Sequence, residues 1–324
     1  MNDETTPSEP PVMLSLRELF AQGSTRVFLN AIRLDSYHEA DIAAWRRVVA
    51  RMKPDDHIVW MTFWHADQTY FDRAAEFYSA SPVAPNRVWV LGNTKQEAEA
   101  ARRAGFNGVW VNHNAWLDER LLQPLPREKV YRAVMVSQLA PYKRVHLAAK
   151  VAGLALVPSA LFHLHQAQSV ENFVDATIIE TLPEGGIAEI LCRSRVGLIL
   201  SKEEGACYAS SEYLLCGIPV VTTASRGGRD VFYTRENSHF VAPTADDVAR
   251  GVDWMIDHAP DPWSIHHAHV ALSQTFRARF ADEVLGAIFV RQQITADPQQ
   301  ALASMFTHKM VTYVDESGAM QLVG

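Results

Sequence analysis

Two glutamates with seven residues between them, Glu204 and Glu212, stand in the run SKEEGACYASSEYLLCGIPVV, residues 201–221. A strand-like run, VGLILS, ends where the carboxylates begin, and Gly205 follows them. A glycine there lets backbone approach a ligand closely. The amides of Ala206, Cys207 and Tyr208 precede a helix-like stretch and are free to donate. Free amides at a helix N-terminus favour an anion such as a diphosphate. Glu212 lies in the first turns of that helix and is placed to accept from vicinal hydroxyls, such as those of a ribose. Glu204, acceptor-only when ionised, can do the same for a sugar ring.

Other constellations carry less chemistry. His266, His267 and His269 form HHAH in a helix-like segment. A metal site would need further ligands at compatible spacing, so they read as a solvated helix face, and no metal is expected. His163 and His165 point to one side of a predicted strand and have no evident partner ligand. Cys207 has no His-Asp partner to mark it as a nucleophile. Cys192, Cys207 and Cys216 form neither an even disulfide framework nor a CxxC pair, which fits a reducing cytoplasm.

The elements that must position these residues alternate. Arg26–Asn30, His57–Trp64, Arg87–Leu91 and Gly108–Val111 read as strands, with helices at Asp41–Met52 and Thr94–Ala104. The rhythm repeats as strand Ala133–Ser137, helix Lys143–Ala152, strand Ala160–His165, helix Gly186–Ser194, strand Val196–Ser201, helix Ser210–Cys216 and strand Pro219–Thr223. That is an α/β chain of parallel sheets. The proline-bearing segment Leu121–Lys129 reads as a linker. Two domains are expected, 1–125 and 126–324, with residues 1–12 an acidic, Pro-rich tail unlike a signal peptide. Ligands of open α/β sheets bind at the carboxyl ends of the strands. No GxGxxG or GxxxxGK[ST] follows any of these strands, which disfavours a conventional dinucleotide fold or P-loop.

Composition narrows the partners. Of 324 residues, 48% are hydrophobic and 21% charged, which excludes a disordered chain or a coiled coil. The net charge of −7 lacks the basic footprint of a nucleic-acid binder. No apolar run reaches the ~20 residues of a membrane span. Residues 1–126 carry 13 Lys/Arg against 16 Asp/Glu, so a soluble acceptor is expected rather than a lipid one. Arg46, Arg47, Arg51 and Lys53 form the one local basic cluster that opposes that average.

The 201–221 block resembles the donor-binding signature of retaining GT-B glycosyltransferases, family four, also described as glycosyl transferases group 1. AVMVSQLAPYKRVHLAAKVA (133–152) resembles the family's lysine segment, and RGGRDVFYTRENSHFVAPTADDVARGVDWM (226–255) its later Gly-Gly stretch. The match runs from about residue 87 to 290 and is most specific in the E-x7-E block. The resemblance implies two Rossmann-like domains facing across a cleft, the first for the acceptor and the second for a nucleotide-sugar donor. The C-terminal helix is then expected to pack back on the first domain. It implies a metal-independent hexosyltransferase without a cofactor, retaining anomeric configuration. Glu204 would contact the transferred sugar, Gly205 and the amides of Ala206, Cys207 and Tyr208 the sugar and diphosphate, Glu212 the ribose and Lys143 the phosphates. His65, after a central first-domain strand, would face the sugar.

The chain also departs from the family. The usual arginine five residues before the lysine is Gln138, for which Arg144 or Lys202 could substitute. The Gly-rich loop after the first strand is NAIRLDSYHEAD. These departures keep two alternatives open: a nucleotide-sugar-binding protein without turnover, or a phosphorylase or epimerase on the same fold. As the first residue of a helix, Lys143 would oppose the local dipole, so its loss is expected to be neutral or mildly stabilising for the ligand-free fold.

Overall fold

In the computed structural model, which describes residues 12–34, 39–158 and 173–324, the chain builds two six-stranded sheets. The first contains β1 (Met13–Gln22), β2 (Thr25–Asn30), β3 (His57–Met61), β4 (Val88–Gly92), β5 (Asn107–Trp110) and β12 (Tyr313–Asp315), in the order β12-β1-β2-β3-β4-β5. Strands β2 to β5 are parallel, with Val27 opposite His57, Ile58 opposite Val88 and Trp89 opposite Asn107. Helices α1 (Glu39–Val49), α2 (Gln68–Ser79) and α3 (Lys95–Arg103) join them. The second sheet contains β6 (Tyr131–Ser137), β7 (Leu154–Pro158), β8 (Ala176–Ile178), β9 (Ser194–Ile199), β10 (Val220–Thr223) and β11 (Ser238–Val241). Its order is β11-β10-β9-β6-β7-β8 and every pair is parallel. Here α4 (Gly186–Cys192), α5 (Tyr208–Leu215) and α6 (Ala245–His258) cover it.

Local chemistry explains these elements. All residues of β3 and β4 are buried, as continuous apolar runs require in a sheet covered on both faces. Trp60 of β3 packs against Tyr70, Phe71 and Tyr78 of α2 and against Phe106. Thr94 and Glu97 form a reciprocal capping box that starts α3 at the carboxyl end of β4. Asp67, Thr244 and Asp261 cap α2, α6 and the long α7 (Pro262–Arg279) through their side chains.

The chain then returns to the first sheet through α8 (Gly286–Arg291), α9 (Pro298–Met305) and β12, ending in α10 (Glu316–Val323). Arg277 of α7 donates to the carbonyls of Ala115 and Leu117. Strand β12 pairs antiparallel with β1, and Arg47 of α1 bonds Glu316 of α10. No helix among the described residues is long and apolar enough to cross a membrane.

One sequence expectation changes. The helix expected over 143–152 is two 3-10 turns, Pro141–Lys143 and Val145–Ala148, broken at Arg144. Arg144 is left-handed (φ 51°) because its guanidinium reaches back to the carbonyls of Leu200 and Ser201 and to Thr223 Oγ1. Strands β1, β7, β8, β11 and β12 and helix α2 were not anticipated. The predicted strand at 160–165, with His163 and His165, lies outside the described residues, as do residues 1–11 of the tail.

Candidate functional site

Strand β9 delivers Ser201, Glu203 and Glu204 to the carboxyl edge of the second sheet. Lys143, at the end of its 3-10 turn, pairs through Nζ with Glu204 Oε1, and both groups are largely buried. Burial alone would depress the ammonium's pKa, but its neighbours Cys207, Glu204 and Tyr142 outweigh it and hold the group above its ordinary value. Burial pushes the Cys207 thiol up to about 12, so it carries no charge near neutral pH. Ser137, Lys143, Ser201, Glu204 and Cys207 enclose a cavity of about 10 Å³, room for roughly one water.

The loop that follows is shaped by close backbone approach. A Cβ on Gly205 would lie 2.3 Å from the Phe63 carbonyl oxygen, and one on Gly227 1.7 Å from that of Glu204. Ala206 is buried, Cys207 is left-handed (φ 59°, ψ 85°), and Tyr208 is the first residue of α5. Glu212, one turn further, is buried with Oε1 3.0 Å from Lys309 Nζ.

The other predicted residues divide. His65 Nε2 lies 3.2 Å from Glu203 Oε2, and Arg226 holds the same oxygen at 2.6 Å. Gln138 Oε1 accepts from the Tyr142 hydroxyl at 2.9 Å. Arg144 donates to the carbonyls and hydroxyl that end β9 and β10, so its cation is committed to the scaffold. Lys202 is exposed, with its backbone fixed by Tyr142 and Arg226. His266 and His269 do not form the solvated face expected of them. His266 bonds the Leu215 carbonyl and His269 stacks on Phe232, both buried because α7 packs on α5. Among the described residues no group of three His, Cys, Asp or Glu side chains could hold a metal ion.

Sequence reasoning gave too little weight to the first domain's contribution. Asn112 Nδ2 donates to the Gly228 carbonyl (2.8 Å), and Asn114 Nδ2 to those of Ala206 (2.7 Å) and Cys207 (3.3 Å). The polar cluster VNHN at the end of β5 was the available signal. Lys309 had none, since it reaches Glu212 only through the return of the chain. Arg229, fully buried, donates to Ser201 and Thr223 and fixes the loop from behind.

The arrangement sets an ammonium and two carboxylates, Lys143, Glu204 and Glu212, around the loop that starts α5. Residues 119–262 match the glycosyl transferases group 1 family. The matched region contains Lys143, Glu204 and Glu212. The two facing Rossmann-like sheets make the GT-B fold. HepE of Anabaena, solved with UDP-glucose, is 19% identical with a TM-score of 0.50, covering 77% of this chain and 72% of HepE. Sucrose-phosphate synthase of Thermosynechococcus elongatus is 14% identical with a TM-score of 0.49, covering 74% of this chain and 68% of the synthase. No curated protein matches the chain in sequence.

Proposed function

We propose that this chain transfers a hexosyl group from a nucleoside-diphosphate sugar to a soluble acceptor, with retention of configuration and without a metal ion or cofactor, in the cytoplasm. The observation that carries the reading is the Lys143–Glu204 pair beside the α5 N-terminus, inside the region that matches glycosyl transferases group 1. The Lys143 ammonium would oppose charge on the departing diphosphate, where such stabilisation counts most. Glu204 would accept from sugar hydroxyls, and Glu212 from the ribose diol once its contact with Lys309 opens. His65, held by Glu203, would border the transferred sugar. The protonated Cys207 thiol is not a competent nucleophile, so the reaction would rest on positioning and electrostatics. Retention rests on the resemblance of the E-x7-E block, and the cytoplasmic reading on three free cysteines.

The test is a thermal-shift panel of UDP-, GDP-, ADP- and dTDP-sugars. A ligand at ~100 times its Kd adds about 2.7 kcal/mol of stability. The ligand that stabilises is then incubated with acceptors, nucleoside diphosphate release is followed, and the product's anomeric proton coupling is read by NMR. No stabilisation by any sugar nucleotide would remove the reading. Stabilisation without release would leave a binding protein.

A further inference from the structure

We propose that Asn114 of the first domain is a positioning residue for the donor diphosphate: it turns two successive peptide groups of the second domain so that their amides face the ligand. This rests on the functional reading above and adds to it a residue outside the matched family region. Asn114 is fully buried, and its Nδ2 donates to the carbonyls of both Ala206 and Cys207. In extended backbone successive carbonyls point to opposite sides. Two that meet one amide group need a kink, and Cys207 supplies it at φ 59°, a conformation that costs a non-glycine residue. Within a trans peptide the carbonyl and the following N–H point oppositely. The Cys207 oxygen also accepts from Ser210 N and Oγ at the start of α5; with the Ala206 oxygen held on Asn114 beside it, the amides of Cys207 and Tyr208 turn together to the other side. Such paired amides form an anion-binding concavity at the start of α5.

Asn114 is itself held, its own amide bonded to Asn112 Oδ1 at 3.0 Å. Because donor loop and clamp belong to different sheets, this alignment depends on the contact between the two domains.

The experiment compares wild type, Asn114→Ala, Asn114→Asp and Asn112→Ala by titration with UDP, GDP and ADP and, by ligand-observed NMR, with uridine, guanosine and adenosine. Asn114→Asp keeps the volume but replaces the donor by an acceptor. Both Asn114 variants should weaken the preferred nucleoside diphosphate at least tenfold and leave its nucleoside within twofold. Asn112→Ala removes the oxygen that holds the Asn114 backbone amide and should shift the same ratio in the same direction, by less than either Asn114 variant. Equal losses for diphosphate and nucleoside, or an unchanged diphosphate Kd, would overturn the proposal. Should an Asn114 variant not fold, the amide resonances of Cys207 and Tyr208 decide. They should be the most strongly shifted of the donor loop when UDP, GDP or ADP binds wild type, and their indifference would overturn it. If wild type binds none of the six, the functional reading fails instead.

Discussion

Lys309 Nζ lies 3.0 Å from Glu212 Oε1, joining the returning C-terminal segment to the carboxylate read here as the ribose acceptor. The segment is anchored on the first domain: Arg17 donates to the carbonyls of Met305 and Met310, and the Lys309 amide donates to that of Trp116. Lys309 and Met310 are both left-handed (φ 65° and 61°), a strain that persists only where the surroundings impose it. On the proposed reading a ribose diol would meet Lys309 at the Glu212 carboxylate and compete with it. Lys309→Met is expected to lower ligand-free stability by about 1–3 kcal/mol, the cost of an unpartnered buried polar group, and to tighten nucleotide binding. Glu212→Ala should weaken it about ten- to hundredfold, the scale of a charged-group hydrogen bond. Calorimetric titration of both variants checks this, and weaker binding in Lys309→Met would make the lysine a ligand group rather than a competitor.

Removing Lys143 should damage both folding and turnover. The expectation from sequence, a neutral or mildly stabilising change, assumed an exposed helix start. The structure buries the ammonium against Glu204 instead. Breaking a buried pair leaves the other charge uncompensated, at about 3–5 kcal/mol. Lys143→Ala is therefore expected to melt well below wild type, and Lys143→Ala/Glu204→Gln to recover part of the loss. Turnover should fall about 100-fold or more, the scale for one transition-state electrostatic partner. A single variant as stable as wild type would show that the pair opens in solution.

Much of this was legible because buried parallel strands write themselves as apolar runs: β3, β4, β6, β9 and β10 were each found within a few residues. Strand β1 was missed because its alternation is broken by the bulge between Glu18 and Phe20 and by two charged residues. The Lys143–Ala152 helix failed because Arg144 is pinned by carbonyls 56 residues or more away in sequence, which no local pattern encodes. In the site, Glu204, Glu212 and the amide loop were readable from their spacing. The cross-domain contact of Lys309 was not, since it depends on which loops meet after folding.

Acid should destabilise the fold through buried neutral histidines. Burial, with the cations Arg87 and Arg291, lowers His57 to about 4; burial lowers His113 to about 4, and burial with His266 and Arg277 lowers His269 to about 3. Each folded-state value lies below the unfolded one, so the unfolded chain binds more protons. The stability they contribute is complete above pH ~6.5 and is lost as pH falls toward about 4. On the order of 1–3 kcal/mol per histidine is expected over that window. Urea midpoints measured from pH 7.5 to 4.5 should fall steadily. His269→Gln, which keeps a polar group under Phe232, should flatten the slope; an unchanged slope would mean that His269 is charged in the native state.

Anionic membranes should not hold this protein. The basic cluster at the end of α1 and the turn after it was the strongest reason to think otherwise, and the fold neutralises part of it. Arg47 makes two bonds to Glu316, at 2.5 and 2.7 Å, and the Arg46 guanidinium lies 4.9 Å over the Phe77 ring. Basic residues near an anionic surface contribute only about 1 kcal/mol each. With Arg47 committed to α10, those remaining act against a domain whose sequence is acidic on balance. Co-sedimentation with phosphatidylserine vesicles at physiological salt should leave the protein in the supernatant. Glu316→Ala, which frees Arg47, should raise the bound fraction only slightly. Wild-type binding that disappears in Arg47→Glu/Arg51→Glu would reverse the assignment and point to an acceptor at a membrane surface.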